Sequence, residues 1–216
     1  MAAKAGLKKA GGGSHSGVPR LVPAQQRSRE RFELILECAA GLMAEKGSDA
    51  FRMSDIVERT GVAFGSLYQY FPDKTAIIGT LAERYNQIGR DCVARDLSGV
   101  RTAKDLYPAL CSITDSYYRM FADNPVMRDI WTATQADRAL QRLDEEDGAY
   151  LASLLSDAVM RIAPGTPRAA LSDFSQLTMT LIAAAVRHAI TLEPREAKRM
   201  LALFKRLLPR DLSVLT

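Results

Sequence analysis

The residues best equipped for chemistry lie together at 61–78, in the stretch GVAFGSLYQYFPDKTAII. Tyr68 and Tyr70 bracket Gln69, with Phe64, Gly65 and Ser66 just before them and Lys74 just after. At helical spacing Leu67 and Phe71 share one face. Gly65 and Gln69 then point away from that face, with Ser66, Tyr68 and Tyr70 on its flanks. Small, amide and phenol groups are poor core material but suit contact with a nucleic-acid groove. Gln pairs with adenine through two atoms, Ser66 donates and accepts, and Phe64 fits a thymine methyl. Gly65, without a side chain, lets the helix backbone approach base edges. The two tyrosines are stiff and end in hydroxyls suited to phosphate oxygens. Lys74 adds a cation where the next helix begins and free amides already favour phosphate.

Such a reading surface needs a helix braced by a second one across a tight turn. A short helix over about 53–60, with Ile56 and Val57 inward, is followed by Gly61 and then a helix from about Phe64 to Phe71. Glycine reverses the chain there without steric cost, as a helix-turn-helix requires. In that motif the second helix enters the major groove and the first crosses above it. A preceding helix is expected from near Ser28, through Phe32, Ile35, Leu36, Ala39 and Leu42, to Gly47. Pro72 stops the reading helix or begins the next, for which Asp73 supplies an amino-terminal acid. Beyond it, apolar residues recur at helical spacing to the end of the chain, with no sustained two-residue alternation. The fold class is therefore all-α: an amino-terminal three-helix DNA-binding domain and a larger carboxy-terminal helical domain.

The stretch MSDIVERTGVAFGSLYQYFPDKTAII, led by RSRERFELILECAAGLMAEKGSDAF, resembles the amino-terminal domain of tetracycline-repressor (TetR) family regulators. The glycine turn, the LYQYF core and the following lysine carry the resemblance, which covers 27 to about 80. It implies a homodimer that represses transcription and releases DNA when a small molecule binds the larger domain. By position in the motif, Phe64, Gly65, Ser66 and Tyr68 are implied as base or groove contacts, and Tyr68, Tyr70 and Lys74 as phosphate contacts. The family usually opens its second helix with a capping Thr, whereas Arg52 stands there in this chain. Arg52 has no oxygen to cap with, so Ser54 caps one turn later, the end frays, or Arg52 itself grips phosphate.

Three segments follow: a flexible basic arm over 1–26, the helix-turn-helix domain over 27–73, and an effector-binding and dimerisation domain over 74–216. Residues 1–31 hold seven basic side chains against Glu30 alone, whereas the whole chain carries a net charge of +4. A basic arm on a near-neutral body suits a polyanion partner. Arg27, Arg29 and Arg31 are placed to follow an adjacent minor groove; plain solvation is the alternative. Cys38, Cys92 and Cys111 have no metal or disulfide spacing and read as buried structural residues of a reducing, cytoplasmic compartment. No unbroken run of about eighteen apolar residues occurs, so no membrane partner is expected.

In the larger domain the aromatics, methionines and an amide at Tyr117, Phe121, Met127, Trp131, Gln135, Met160 and Phe174 are candidates to line a pocket for an apolar or aromatic effector. The alternative for each is ordinary core. The acids DEED at 144–147 read as the start of a helix after Leu143. His188 reads as a core or interface histidine. The last two helices, about 168–208, have apolar faces wider than one intramolecular contact needs, which predicts a homodimer through a four-helix bundle. HExxH, GxSxG and GxxxxGK[ST] are absent, so neither an enzyme nor a metal or cofactor is expected. A helical interaction module that never touches DNA remains the rival reading.

Overall fold

The structure, a computed structural model, describes residues 21–215, apart from the side chains of residues 21–24 and 214. The described residues form α1 (Leu21–Lys46), α2 (Met53–Thr60), α3 (Phe64–Tyr70), α4 (Lys74–Ser98), α5 (Ala103–Asp123), α6 (Val126–Ala136), α7 (Arg138–Ile162), α8 (Arg168–Ala189), α9 (Pro194–Leu207) and a 3-10 turn at Ser213–Leu215. Among them there is no strand, and the class is all-α. The expected arm falls mostly outside the described residues, but its last six positions, 21–26, are helical. Ser28 consequently lies inside α1 and does not cap it.

Local chemistry explains the first four helices. Gly47 and Gly61 end α1 and α2 with φ of +82° and +70°, the left-handed region that side chains resist. Their amides reach back to the Met43 and Val57 carbonyls at 2.8 and 2.9 Å. At the start of α2 neither Ser54 nor fraying fills the gap left by Arg52. Asp55 reaches back instead, its Oδ2 accepting from the Arg52 amide at 3.0 Å and from Lys46 Nζ at 3.2 Å. Asp73 caps α4 by accepting from the Ala76 amide at 2.8 Å.

Ile35, Leu36 and Leu42 of α1, Ile56 of α2, Leu67 and Phe71 around α3, and Ile77, Ile78 and Leu81 of α4 form one amino-terminal core. Val126 and Ile130 of α6 and Leu140 of α7 belong to the same core. The expected division at 73/74 falls at the first residue of α4, whose first two turns pack in this core. The far end of the same helix, Val93 and Leu97, packs in a second core with α5, α7 and α8. A third cluster joins Phe121 and Met127 to Val186, Ala197 and Leu201.

The acids at 144–147 do not begin a helix. α7 starts at Arg138, where Asp137 Oδ1 accepts from the Ala139 and Leu140 amides at 2.8 and 3.2 Å. That start puts Asp144 and Asp147 mid-helix, facing guanidinium groups of α8 and α4. α8 is, among the described residues, the one helix long and apolar enough to cross a membrane, with a mean hydropathy of 1.3 over eighteen residues. No unbroken apolar run produces this average. It arises because α8 carries an inner face, including Leu171, Met179, Ile182 and Val186, and an exposed outer one at Leu177 and Leu181.

Candidate nucleic-acid interface and the cavity behind it

Leu67 and Phe71 anchor α3, at 0% and 2% exposure. Their burial rotates Phe64, Gly65, Tyr68 and Gln69 outward, all exposed. The Phe64 and Tyr68 rings stand 49% and 48% exposed, stacked on each other with centroids 6.4 Å apart. A Cβ built on Gly65 would meet no atom within 4 Å, so the fold itself does not demand glycine at this helical position.

The two phenols are not equivalent. Tyr70 is half-buried, packs against the amino-terminal core, and meets Phe32 edge-on at 6.2 Å. Its hydroxyl lies 2.9 Å from that of Ser28, and Arg31 Nη1 donates to Ser66 Oγ at 3.2 Å. These contacts tie the first half of α1 to α3. By sequence Ser28 is a candidate cap and Arg31 a member of the basic cluster; only the crossing of the helices reveals them as struts. Arg27 and Arg29 lie exposed along α1, which is helical there and not an extended arm. Arg52 is exposed at the start of α2. Lys74 is half-buried, donates to the Ser48 and Asp49 carbonyls at 3.0 and 3.1 Å, and sits 5.2 Å above the Phe51 ring. An ammonium has three N–H donors, so one remains for an outside partner.

Behind this surface α4, α5, α6, α7 and α8 enclose a cavity of about 270 Å³. Tyr117, Phe121, Met127 and Trp131 line it, together with Tyr85, Ile113, Met120, Met179 and Ile182. Gln135, Met160 and Phe174 do not. Gln135 is exposed, one helical step round from the lining Thr134. Met160 lies nine residues beyond the lining Leu151, roughly 13.5 Å along α7, and packs with Phe174 against the second core.

One end of the cavity is polar. Arg187 Nη2 reaches both Asp144 oxygens at 3.3 Å, and its guanidinium lies 5.3 Å from the Trp131 ring centroid. Arg90 Nε donates to Asp147 Oδ1 at 2.6 Å and Nη1 donates to Glu83 at 2.7 Å. Burial pushes the Asp147 carboxyl above its ordinary value against the pull of Arg90. It also pushes the Tyr117 phenol up. The three cysteines are free and half-buried, more accessible than their reading as buried residues, and Cys92 borders the cavity. His188 is exposed, which removes it from the core. Among the described residues no group of three or more His, Cys, Asp or Glu side chains is placed to hold a metal ion.

A helix-turn-helix module is joined to a larger helical body that holds a cavity. The profile described as "Tetracyclin repressor-like, C-terminal domain" matches 104–215, and that described as "Bacterial regulatory proteins, tetR family" matches 35–81. The chain belongs to the TetR family, whose members are transcription regulators and not enzymes. It is 43% identical over 53 residues to the uncharacterized HTH-type transcriptional regulator YvdT of Bacillus subtilis (24% of this chain, 27% of that one). It is 24% identical over 176 residues to the HTH-type transcriptional repressor KstR of Mycobacterium tuberculosis (70% of this chain, 78% of that one). The first curated relatives it matches are spanned over only 27% to 51% of their length. The solved SmeT–triclosan complex shares the fold, with a TM-score of 0.63 at 16% identity, over 82% of this chain and 88% of that one.

Proposed function

We propose that the protein is a homodimeric cytoplasmic repressor. In each copy α3 reads one half of a palindromic DNA operator, and a small apolar molecule in the cavity causes release. The observation that carries this reading is α3 itself: seven residues anchored by Leu67, with two aromatic rings and an unobstructed glycine turned to solvent. Phe64, Gly65, Ser66, Tyr68 and Gln69 supply groove contacts, while Tyr70, Lys74, Arg52, Arg27 and Arg29 supply phosphate contacts. Dimerisation uses the outer faces of α8 and α9, where Leu177, Leu181, Leu203 and Leu207 are exposed by 60%, 48%, 53% and 75%. His188 continues the Leu177–Leu181 row at helical spacing, consistent with its interface role.

Release works by population shift. Two reading helices about 34–36 Å apart fit successive major grooves. α4 packs in the amino-terminal core with one end and borders the cavity through Tyr85, Gly89 and Val93 with the other. A molecule that prefers one α4 position shifts the spacing by its differential affinity for the two states. The name of KstR supports repression, and SmeT holds triclosan within the same fold.

The test is selection of bound DNA from a random pool, followed by anisotropy titrations of the recovered site. A palindromic site bound in a salt-dependent way, and weakened about tenfold or more by Tyr68→Ala, is expected. Recovery of no preferred sequence would leave a helical interaction protein as the better reading.

A further inference from the structure

We propose that the molecule taken up by this cavity is a neutral apolar compound with one hydrogen-bond-accepting oxygen, such as a ketone, at the end that meets Trp131 and Arg187. This rests on the effector reading above and specifies its chemistry. Four shielded polar side-chain atoms lack a partner among the described residues: Asp96 Oδ2, Ser175 Oγ, Trp131 Nε1 and Arg187 Nε. Asp96 and Ser175 do not line the cavity, whereas Trp131 and Arg187 do. Indole and guanidinium N–H groups only donate, so the unmet demand at this end is for an acceptor. The guanidinium lies over the Trp131 ring, 5.3 Å from its centroid, so the two donors sit on neighbouring groups. A buried donor without an acceptor is unfavourable, and an accepting oxygen on a bound molecule relieves it.

The charges argue for neutrality. Arg187 is already matched by Asp144, and Asp147 by Arg90. An incoming anion would lie beside Asp144 and Asp147 with no uncommitted cation to receive it. An incoming cation would lie beside Asp144 and Asp147, whose charges Arg187 and Arg90 already match, and would leave the Trp131 and Arg187 donors unserved. Ile113, Met120, Met127, Met179 and Ile182 supply an apolar wall beside the uncharged Asn86, Ser116, Gln176 and Thr180, which suits a neutral, largely apolar body. At about 270 Å³ the space is just below the range for drug-sized ligands, so the compound has one or two rings.

Trp131 is the sole tryptophan, so its emission reports on the cavity directly. Four probes of similar size test the chemistry: propiophenone, propylbenzene, 4-ethylbenzoate and 4-ethylbenzylammonium, titrated by emission and by calorimetry. Propiophenone is expected to bind about tenfold more tightly than propylbenzene and more tightly than either ion. Trp131→Phe keeps an aromatic ring under Arg187 and removes one donor. Calorimetry on this variant is expected to show the ketone-to-hydrocarbon ratio falling severalfold. Equal or tighter binding of propylbenzene, tightest binding by either ion, or an undiminished ratio in Trp131→Phe would each overturn the inference while leaving the cavity as an effector site. Binding of none of the four probes would overturn both the inference and the effector reading, and the operator titration would still judge DNA recognition separately.

Discussion

A methyl group on Gly65 would meet nothing within 4 Å, and alanine is the better helix former by about 0.5–1 kcal/mol. Gly65→Ala is therefore expected to leave the melting temperature unchanged or slightly raised while lowering operator affinity at least tenfold. Thermal denaturation and anisotropy measure the two effects independently. Equal affinity would show that the α3 backbone does not approach the bases closely. Lys74 behaves differently, because two of its donors serve the Ser48 and Asp49 carbonyls. Lys74→Ala should cost about 1–2 kcal/mol of stability. It should also lower the slope of log affinity against log salt by about one if the remaining donor holds phosphate. A stability loss with an unchanged slope would assign Lys74 to the fold alone.

Two helices begin on a carboxylate that reaches backward. Asp55 accepts from the Arg52 amide, and Asp105 accepts from the Thr102 and Arg101 amides at 2.8 and 3.1 Å. These amide bonds, first among the causes, hold both carboxyls below their ordinary range; Lys46 assists at Asp55. A depressed folded-state value means the stabilisation is present above the unfolded value, near 3.9, and is lost as pH falls through the lower folded one. Amide exchange at Arg52 and Thr102 should therefore lose protection relative to neighbouring amides below about pH 4. Retained relative protection there would show that the helix starts do not depend on the ionised acids. Between α1 and α3, the Ser28–Tyr70 and Arg31–Ser66 contacts hold the reading helix at its angle. Ser28→Ala should weaken operator binding without altering helix content, as read by anisotropy and circular dichroism.

For the whole molecule, the proposed dimer rests on the outer leucines of α8 and α9. Leu181 and Leu207 are 48% and 75% exposed, so replacing both with glutamate leaves no unpaired charge inside a single copy. Leu181→Glu with Leu207→Glu should sediment as a folded monomer and bind a full palindrome at least a hundredfold more weakly, because the two half-sites no longer act together. A variant that remains dimeric would move the interface elsewhere. Within each copy, α6 is a second link besides α4. Ile130 belongs to the amino-terminal core and also lines the cavity, next to Trp131. In the proposed release, a compound that shifts α6 would act on the base of the reading head through this one packed residue.

The residue order alone determined the helical class, the bounds of α2, the glycine turn and the Leu67–Phe71 anchor, because each depends on spacing within a few turns. The same local rules set the outward face of α3. Tertiary structure decided the rest, because those contacts join residues far apart in the chain. Asp144 and Asp147 looked like a helix start until their partners Arg187 and Arg90, 43 and 57 residues away, came into place. Gln135, Met160 and Phe174 have the right side chains for a pocket but sit on the wrong turn or face. The two partnerless donors at Trp131 and Arg187 could not be read from sequence either. A side chain's spare hydrogen-bonding capacity is known only once its surroundings have filled.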